Sequence, residues 1–117
     1  MTGSVAHHGG RVAEEQVEAS YVAKGFRVLA RRWRGEGGEI DLIVCDGAGL
    51  IFVEVKRADS HAVAAERLAA SQMARIYAAA GEFLATQPNG QDSEVRFDAA
   101  LVDGQGRIRI IENAFGL

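Results

Sequence analysis

Glu39 and Asp41 at the head of one apolar run, and Glu54 and Lys56 at the tail of the next, are the residues of this chain best spaced to do chemistry. The runs 40–45 and 50–56 are rich in Ile and Val and are separated by Asp46-Gly47-Ala48-Gly49, which predicts two strands joined by a hairpin. Glycine at the first central position of a two-residue loop is the type II′ signal. With Gly47 and Ala48 as the loop, Cys45 faces Leu50, Ile43 faces Phe52, Asp41 faces Glu54 and Glu39 faces Lys56. Strand alternation then puts these eight side chains on one face of the sheet. Ile40, Leu42, Val44, Ile51, Val53 and Val55 take the other.

Like charges directly opposed in an antiparallel pair, roughly 5 Å apart, are destabilising. A divalent cation between Asp41 and Glu54 relieves that repulsion. Mg²⁺ suits the pair, because hard cations take oxygen ligands, commonly one or two carboxylates completed by substrate phosphates; Mn²⁺ is the alternative ion. Lys56 points the same way and would hold a water, a phosphate or a developing charge. The plain alternative is a hairpin whose charged ends lie near solvent. Four ionisable groups converging opposite a wholly apolar face favour a site.

The flanking elements must position this hairpin. Residues 10–24 predict a helix ending before Gly25, a suitable C′ residue. Ala13, Val17 and Tyr21 form its apolar stripe, with Glu15 and Glu18 in solvent. Glu14 borders the stripe and either reaches the Asp41/Glu54 site or snorkels to water. The stretch 26–33 alternates as a strand, Phe26, Val28 and Ala30 against Arg27, Leu29 and Arg31. It runs into Arg31-Arg32-Trp33-Arg34, three arginines around an indole that would suit phosphate contact with base stacking. The alternative is Trp33 as a core or lid anchor, with the arginines in solvent. Gly35-Glu36-Gly37-Gly38 lacks the Gly-Lys-Ser/Thr continuation of a phosphate-cradling loop and reads as a flexible connection. Beyond Lys56, Ser60 is a candidate N-cap for a helical stretch over 63–86, which a second cap at Ser71 would divide. Gln72 lies on its apolar face, as an accessory site residue or as a core amide. Strands follow over 94–102 and 107–111.

The element order is αβββαββ, which predicts one α/β domain over 10–117 with a mixed central sheet flanked by helices. Residues 1–9 read as a flexible tail, and His7-His8 as solvated rather than metal-bound. At 117 residues with 48% hydrophobic and 25% charged, the composition is that of a soluble domain with a modest core. No apolar run is long enough for a membrane span, no secretory signal is visible, and the lone Cys45 excludes an internal disulfide. A cytoplasmic protein is expected. The net charge of −3 counts against a non-specific DNA coat, but it leaves room for a local basic patch.

Gly38-Glu39-Ile40-Asp41-Leu42-Ile43 followed by Phe52-Val53-Glu54-Val55-Lys56 resembles the YraN family of small bacterial proteins. That family is similar to the PD-(D/E)xK, or restriction-endonuclease-like, superfamily. The likeness takes in Glu14, Gly25-Phe26, Arg32-Trp33-Arg34, Val95-Arg96-Phe97-Asp98 and Glu112-Asn113-Ala114-Phe115. It implies a metal-dependent DNA nuclease of restriction-endonuclease-like, Holliday-junction-resolvase-like type. Asp41 and Glu54 would be metal ligands, Lys56 the catalytic lysine and Glu14 the helix carboxylate, with Glu39 and Gln72 accessory. DNA is the expected partner, with RNA left open; no membrane and no small organic cofactor are expected. A homodimer would suit cutting of both strands, although nothing in the chain marks an interface. The rival reading is a nuclease-fold nucleic-acid-binding protein with little or no catalysis, working through a partner in repair, recombination or DNA uptake. The chain departs from many relatives in having Lys56-Arg57-Ala58 after Val55 and Gln72 in place of a helix lysine.

Overall fold

The computed structural model describes residues 2–47, 49–69, 73–90 and 93–114. The chain runs α1 (Thr2–Ala23), β1 (Arg27–Arg34), β2 (Glu39–Asp46), β3 (Gly49–Arg57), α2 (His61–Ala69), α3 (Met73–Leu84), β4 (Val95–Val102) and β5 (Ile108–Ile111). This is the expected αβββαββ order, with the long helical stretch present as α2 and α3. The five strands form one mixed sheet in sequence order; β3 and β4 are parallel and every other pair is antiparallel. The helices lie on both faces. The order and the mixed sheet are consistent with a nuclease-like fold. Ser71, Gln72 and Phe115 fall outside the described residues, as do the side chains of His7 and His8. Among the described residues no helix is long and apolar enough to cross a membrane.

The core is split by the sheet, as the alternation of the strands requires. Ile43, Cys45, Leu50, Phe52 and Phe97 pack with Ile76, Ala80 and Phe83 of α3. Leu42, Val44, Ile51, Val53, Ala100 and Val102 pack with the Ala13–Val17–Tyr21 stripe of α1. The helix α1 starts at Thr2 rather than at residue 10, a length that the glycine pair Gly9-Gly10 weakens without forbidding. It stops at Gly25, whose φ of +96° suits a residue without a Cβ. Ser60 caps α2, its hydroxyl accepting from the Val63 amide at 3.2 Å.

The hairpin register is the predicted one from Asp46↔Gly49 to Leu42↔Val53, and Gly47 has the positive φ, +63°, that a primed turn needs at its first position. Two local departures shape the site. A bulge in β1 shifts the register between Val28 and Ala30, so Leu29 and Ala30 both pack on the α3 side instead of alternating. The β2–β3 pairing stops at Leu42↔Val53. Beyond it Ile40 joins the α3-side cluster, not the α1 side that unbroken alternation assigns it.

Candidate functional site

The opened end of the hairpin is where Asp41, Glu54 and Lys56 meet. Asp41 and Glu54 are not opposed as a regular ladder would have them. The carboxylate of Asp41 takes the place of a backbone acceptor: its Oδ2 accepts from the Val55 amide at 2.8 Å. Asp41 is thereby wedged into the seam between β2 and β3. Glu54 is buried, 8% exposed, and its Oε1 is a buried acceptor with no hydrogen-bond partner among the described residues. An orphaned buried acceptor costs ~1–3 kcal/mol, and more if the group is charged.

Burial pushes Asp41 up to about 6, the Val55 amide opposing and the charge of Glu14 adding to the rise. Burial likewise pushes Glu54 up to about 8, with the neighbouring charge of Asp41 next in weight and Lys56 opposing. Lys56 therefore lies close enough to act on both acids, although Asp41 opens to the α1 side and not to the Ile43–Phe52 face that unbroken alternation assigns it. Glu39 also raises both, while its own carboxylate is paired to Arg34 at 3.0 Å. These are the marks of a polar site held partly out of water and short of positive charge.

On the α1 side, Asp41 opens into a cleft of about 230 Å³ that Glu14, Glu18, Arg31 and Arg32 also line. Glu54 is not among its lining side chains. Glu14 thus faces the same cleft as Asp41 and is held there by Arg32, whose Nε donates to it at 2.6 Å. Glu18, expected in solvent, takes a two-point hydrogen bond from Arg31 at 2.6 and 2.9 Å. Each arginine of the expected nucleic-acid-binding cluster therefore carries an acidic partner: Arg31 with Glu18, Arg32 with Glu14 and Arg34 with Glu39. Arg31 and Arg34 stay largely exposed, at 65% and 78%, and pairs of that kind are weak. Trp33 stands apart from them. Its ring packs edge-on to Phe83, centroids 5.4 Å apart, which is the core-anchor alternative.

The fit of these residues to a divalent cation follows from the donor set. Asp41 and Glu54 supply oxygens, and one oxygen of Glu54 lacks a partner among the described residues. Among the described residues no group of three His, Cys, Asp or Glu is gathered to enclose an ion. The pair therefore suits an ion that keeps most of its shell as water or substrate oxygen, the habit of Mg²⁺, and does not suit a fully caged one.

Glu82 was not singled out by the sequence. Its carboxylate accepts from the amides of Glu36 and Gly37 at 2.8 and 2.9 Å, and those two bonds hold it below the usual carboxylate range. The loop read as flexible is thus pinned to α3. A Cβ at Gly37 would stand 2.7 Å from the Ala78 methyl, and one at Gly38 would stand 2.7 Å from the Arg75 carbonyl. One at Gly35 would strike the Glu82 carboxylate. Arg75, Ala78 and Glu82 fall on one helix edge by their 3–4 residue spacing, the signal that could have revealed the docking.

The model of the uncharacterised protein family UPF0102 matches residues 13–102. The chain belongs to that family, the YraN family. A UPF0102 protein of Cereibacter sphaeroides (strain ATCC 17025) is 61% identical over 98% of each chain. One of Ruegeria pomeroyi is 53% identical over 97% of this chain and 93% of its own. One of Dinoroseobacter shibae is 48% identical over 95% and 83%. The whole carboxylate–lysine constellation, from Glu14 to Lys56, lies inside the family match.

Proposed function

We propose that this protein is a metal-dependent phosphodiester hydrolase acting on DNA. One observation carries the reading: a buried carboxylate, Glu54, with one oxygen unpartnered among the described residues, set beside the half-buried Asp41 and within electrostatic reach of Lys56. Asp41 and Glu54 would hold Mg²⁺ or Mn²⁺. The bound ion would supply Lewis-acid activation of a water. Lys56 orients that water or offsets charge building on the phosphate oxygens. Asp41 is itself fixed by the Val55 amide, so the site needs little reorganisation. Arg31 and Arg34, exposed at the rim, exchange weak carboxylate partners for the DNA backbone. A second copy of the chain would give access to both strands.

A specific observation favours a weaker second reading. Glu14 is occupied by Arg32 and no third acidic or imidazole ligand joins Asp41 and Glu54 among the described residues. A nuclease-fold protein that binds nucleic acid with little catalysis would be built this way. Incubation of purified protein with linear, nicked and branched DNA, with and without Mg²⁺ or Mn²⁺, separates the two. The hydrolase reading expects metal-dependent cleavage that drops at least roughly hundredfold in Lys56→Met while DNA affinity holds. Binding without cleavage supports the second reading. Cleavage undiminished in Lys56→Met and Glu54→Gln sinks the first.

A further inference from the structure

Arg32 differs from the arginines on either side of it. It sits inside β1 with φ of +46°; among the described residues only one other non-glycine, Asn113, has a positive φ. Left-handed backbone in a strand is strained for a residue with a Cβ, and such strain persists only where the surroundings hold it. What holds Arg32 is acidic. Its Nε donates to Glu14 at 2.6 Å, and the charges of Glu39 and Asp41 act on it as well. Its side chain is 34% exposed, against 65% for Arg31 and 78% for Arg34. A guanidinium that does not deprotonate is therefore aimed into the cleft that Glu14 and Asp41 share.

We propose that Arg32 is the built-in counter-cation of the site, displaced from Glu14 when the divalent ion held by Asp41 and Glu54 draws Glu14 in as a further ligand, and released on that exchange to a phosphate of the bound polyanion. The inference rests on the metal reading given above and adds a regulation to it. Glu14 has one negative charge to offer, and Arg32 and a divalent ion compete for it. A phosphate has a matching claim on Arg32, because the planar guanidinium fork fits its oxygens. Drawing Arg32 onto phosphate frees Glu14; binding the ion frees Arg32. Ion and polyanion are then positively coupled, and by linkage each tightens the other by the same factor. Arg32 stays on Glu14 until both are present.

The strained backbone supplies variants that keep the fold. Glycine and asparagine accept left-handed φ, so Arg32→Gly and Arg32→Asn remove the charge while relieving strain. Mn²⁺ binding to the full chain, followed by calorimetry and by loss of the free-ion paramagnetic signal, is the test. Arg32→Asn and Arg32→Gly are expected to bind Mn²⁺ about tenfold tighter than wild type, within the usual range of coupling. Arg32→Lys, which keeps the charge, should stay near wild type. A short phosphorothioate DNA duplex should tighten Mn²⁺ binding to wild type by a similar factor and leave Arg32→Asn unaffected. In a Glu14→Gln background the gain from Arg32→Asn should shrink. Equal or weaker Mn²⁺ binding in both neutral variants, with the ion still lost in Asp41→Asn, overturns the exchange and leaves Arg32 a brace for Glu14. Mn²⁺ binding that is absent, or indifferent to Asp41→Asn, instead overturns the metal reading, and the exchange falls with it.

Discussion

Asp98 and Glu54 are both buried acids on neighbouring strands, and the protein treats them in opposite ways. Asp98, fully out of solvent, accepts from the Tyr21 hydroxyl at 2.8 Å, from Arg96 Nε and Nη2 at 2.8 and 3.0 Å, and from the Asn113 amide at 3.0 Å. A carboxylate has about four lone-pair sites, so its capacity is met. Tyr21 is held protonated by burial and by that bond. Glu54 keeps one oxygen with no partner among the described residues. Asp103, a third buried acid, is satisfied by two amides and the Arg107 guanidinium. Burial of charge therefore does not mark a site here; burial with an incomplete set of partners does. Asp98 ties α1, β4 and the turn at Asn113 together, while Glu54 and Asp41 are left with acceptor capacity for something from outside.

The comparison breaks most visibly by removing the closed acid. Asp98→Ala strands Arg96 and Tyr21, and loss of one partner from a buried charge network costs ~3–5 kcal/mol. Chemical denaturation should show that loss; a change under 1 kcal/mol, taken as about the limit of a surface substitution, would mean the network is ornamental.

Next in size is the pH response of the open pair. Folded, Glu54 keeps its proton up to about 8, whereas an unfolded glutamate releases it near 4.5. The folded state thus binds more protons across that window, and stability falls as pH rises through it. At ~1.4 kcal/mol per unit, a loss of about 2–4 kcal/mol between pH 5 and 8 is expected. Glu54→Gln should flatten the slope and be more stable than wild type at pH 8. A wild-type stability that climbs with pH over this range would contradict the assigned direction.

A smaller effect separates the pinned loop from the site it borders. Glu82→Ala should raise hydrogen exchange at the Glu36 and Gly37 amides several-fold while leaving global unfolding two-state. Unchanged exchange would place the rigidity in glycine packing alone. Smallest is the rim: Arg31→Ala with Arg34→Ala should reduce the salt slope of DNA binding by about 1 for each arginine that had met a phosphate. No change in slope would return both arginines to their carboxylate partners.

Much of this was legible before the structure. Two apolar runs and a two-residue glycine loop leave one register that keeps the core inside, and that register holds as far as Leu42↔Val53. The Ala13–Val17–Tyr21 stripe and the Ser60 cap followed from period and residue type. What was not legible depends on partners far along the chain. Nothing local says that Arg31 finds Glu18, that Arg32 finds Glu14 or that Glu82 reaches Gly37. The alternation rule also assumes an unbroken ladder. It misplaced Ile40 and Ala30 because the pairing ends at Leu42 and a bulge interrupts β1. Trp33 carried two readings, and only the placement of Phe83 distinguishes them.

The parallel pairing of β3 with β4 has a consequence in time. β1, β2 and β3 follow one another through short connections, but β4 can join β3 only after the chain has passed through α2 and α3. Closing short segments is entropically cheaper than closing long ones. The hairpin bearing Asp41 and Glu54 is thus in the part of the chain able to assemble early, and Asp98 in the part that docks late. Loosening the late part is expected to hasten unfolding more than it slows folding. The acids with spare capacity are expected to be in place before the bolt that braces the molecule slides home.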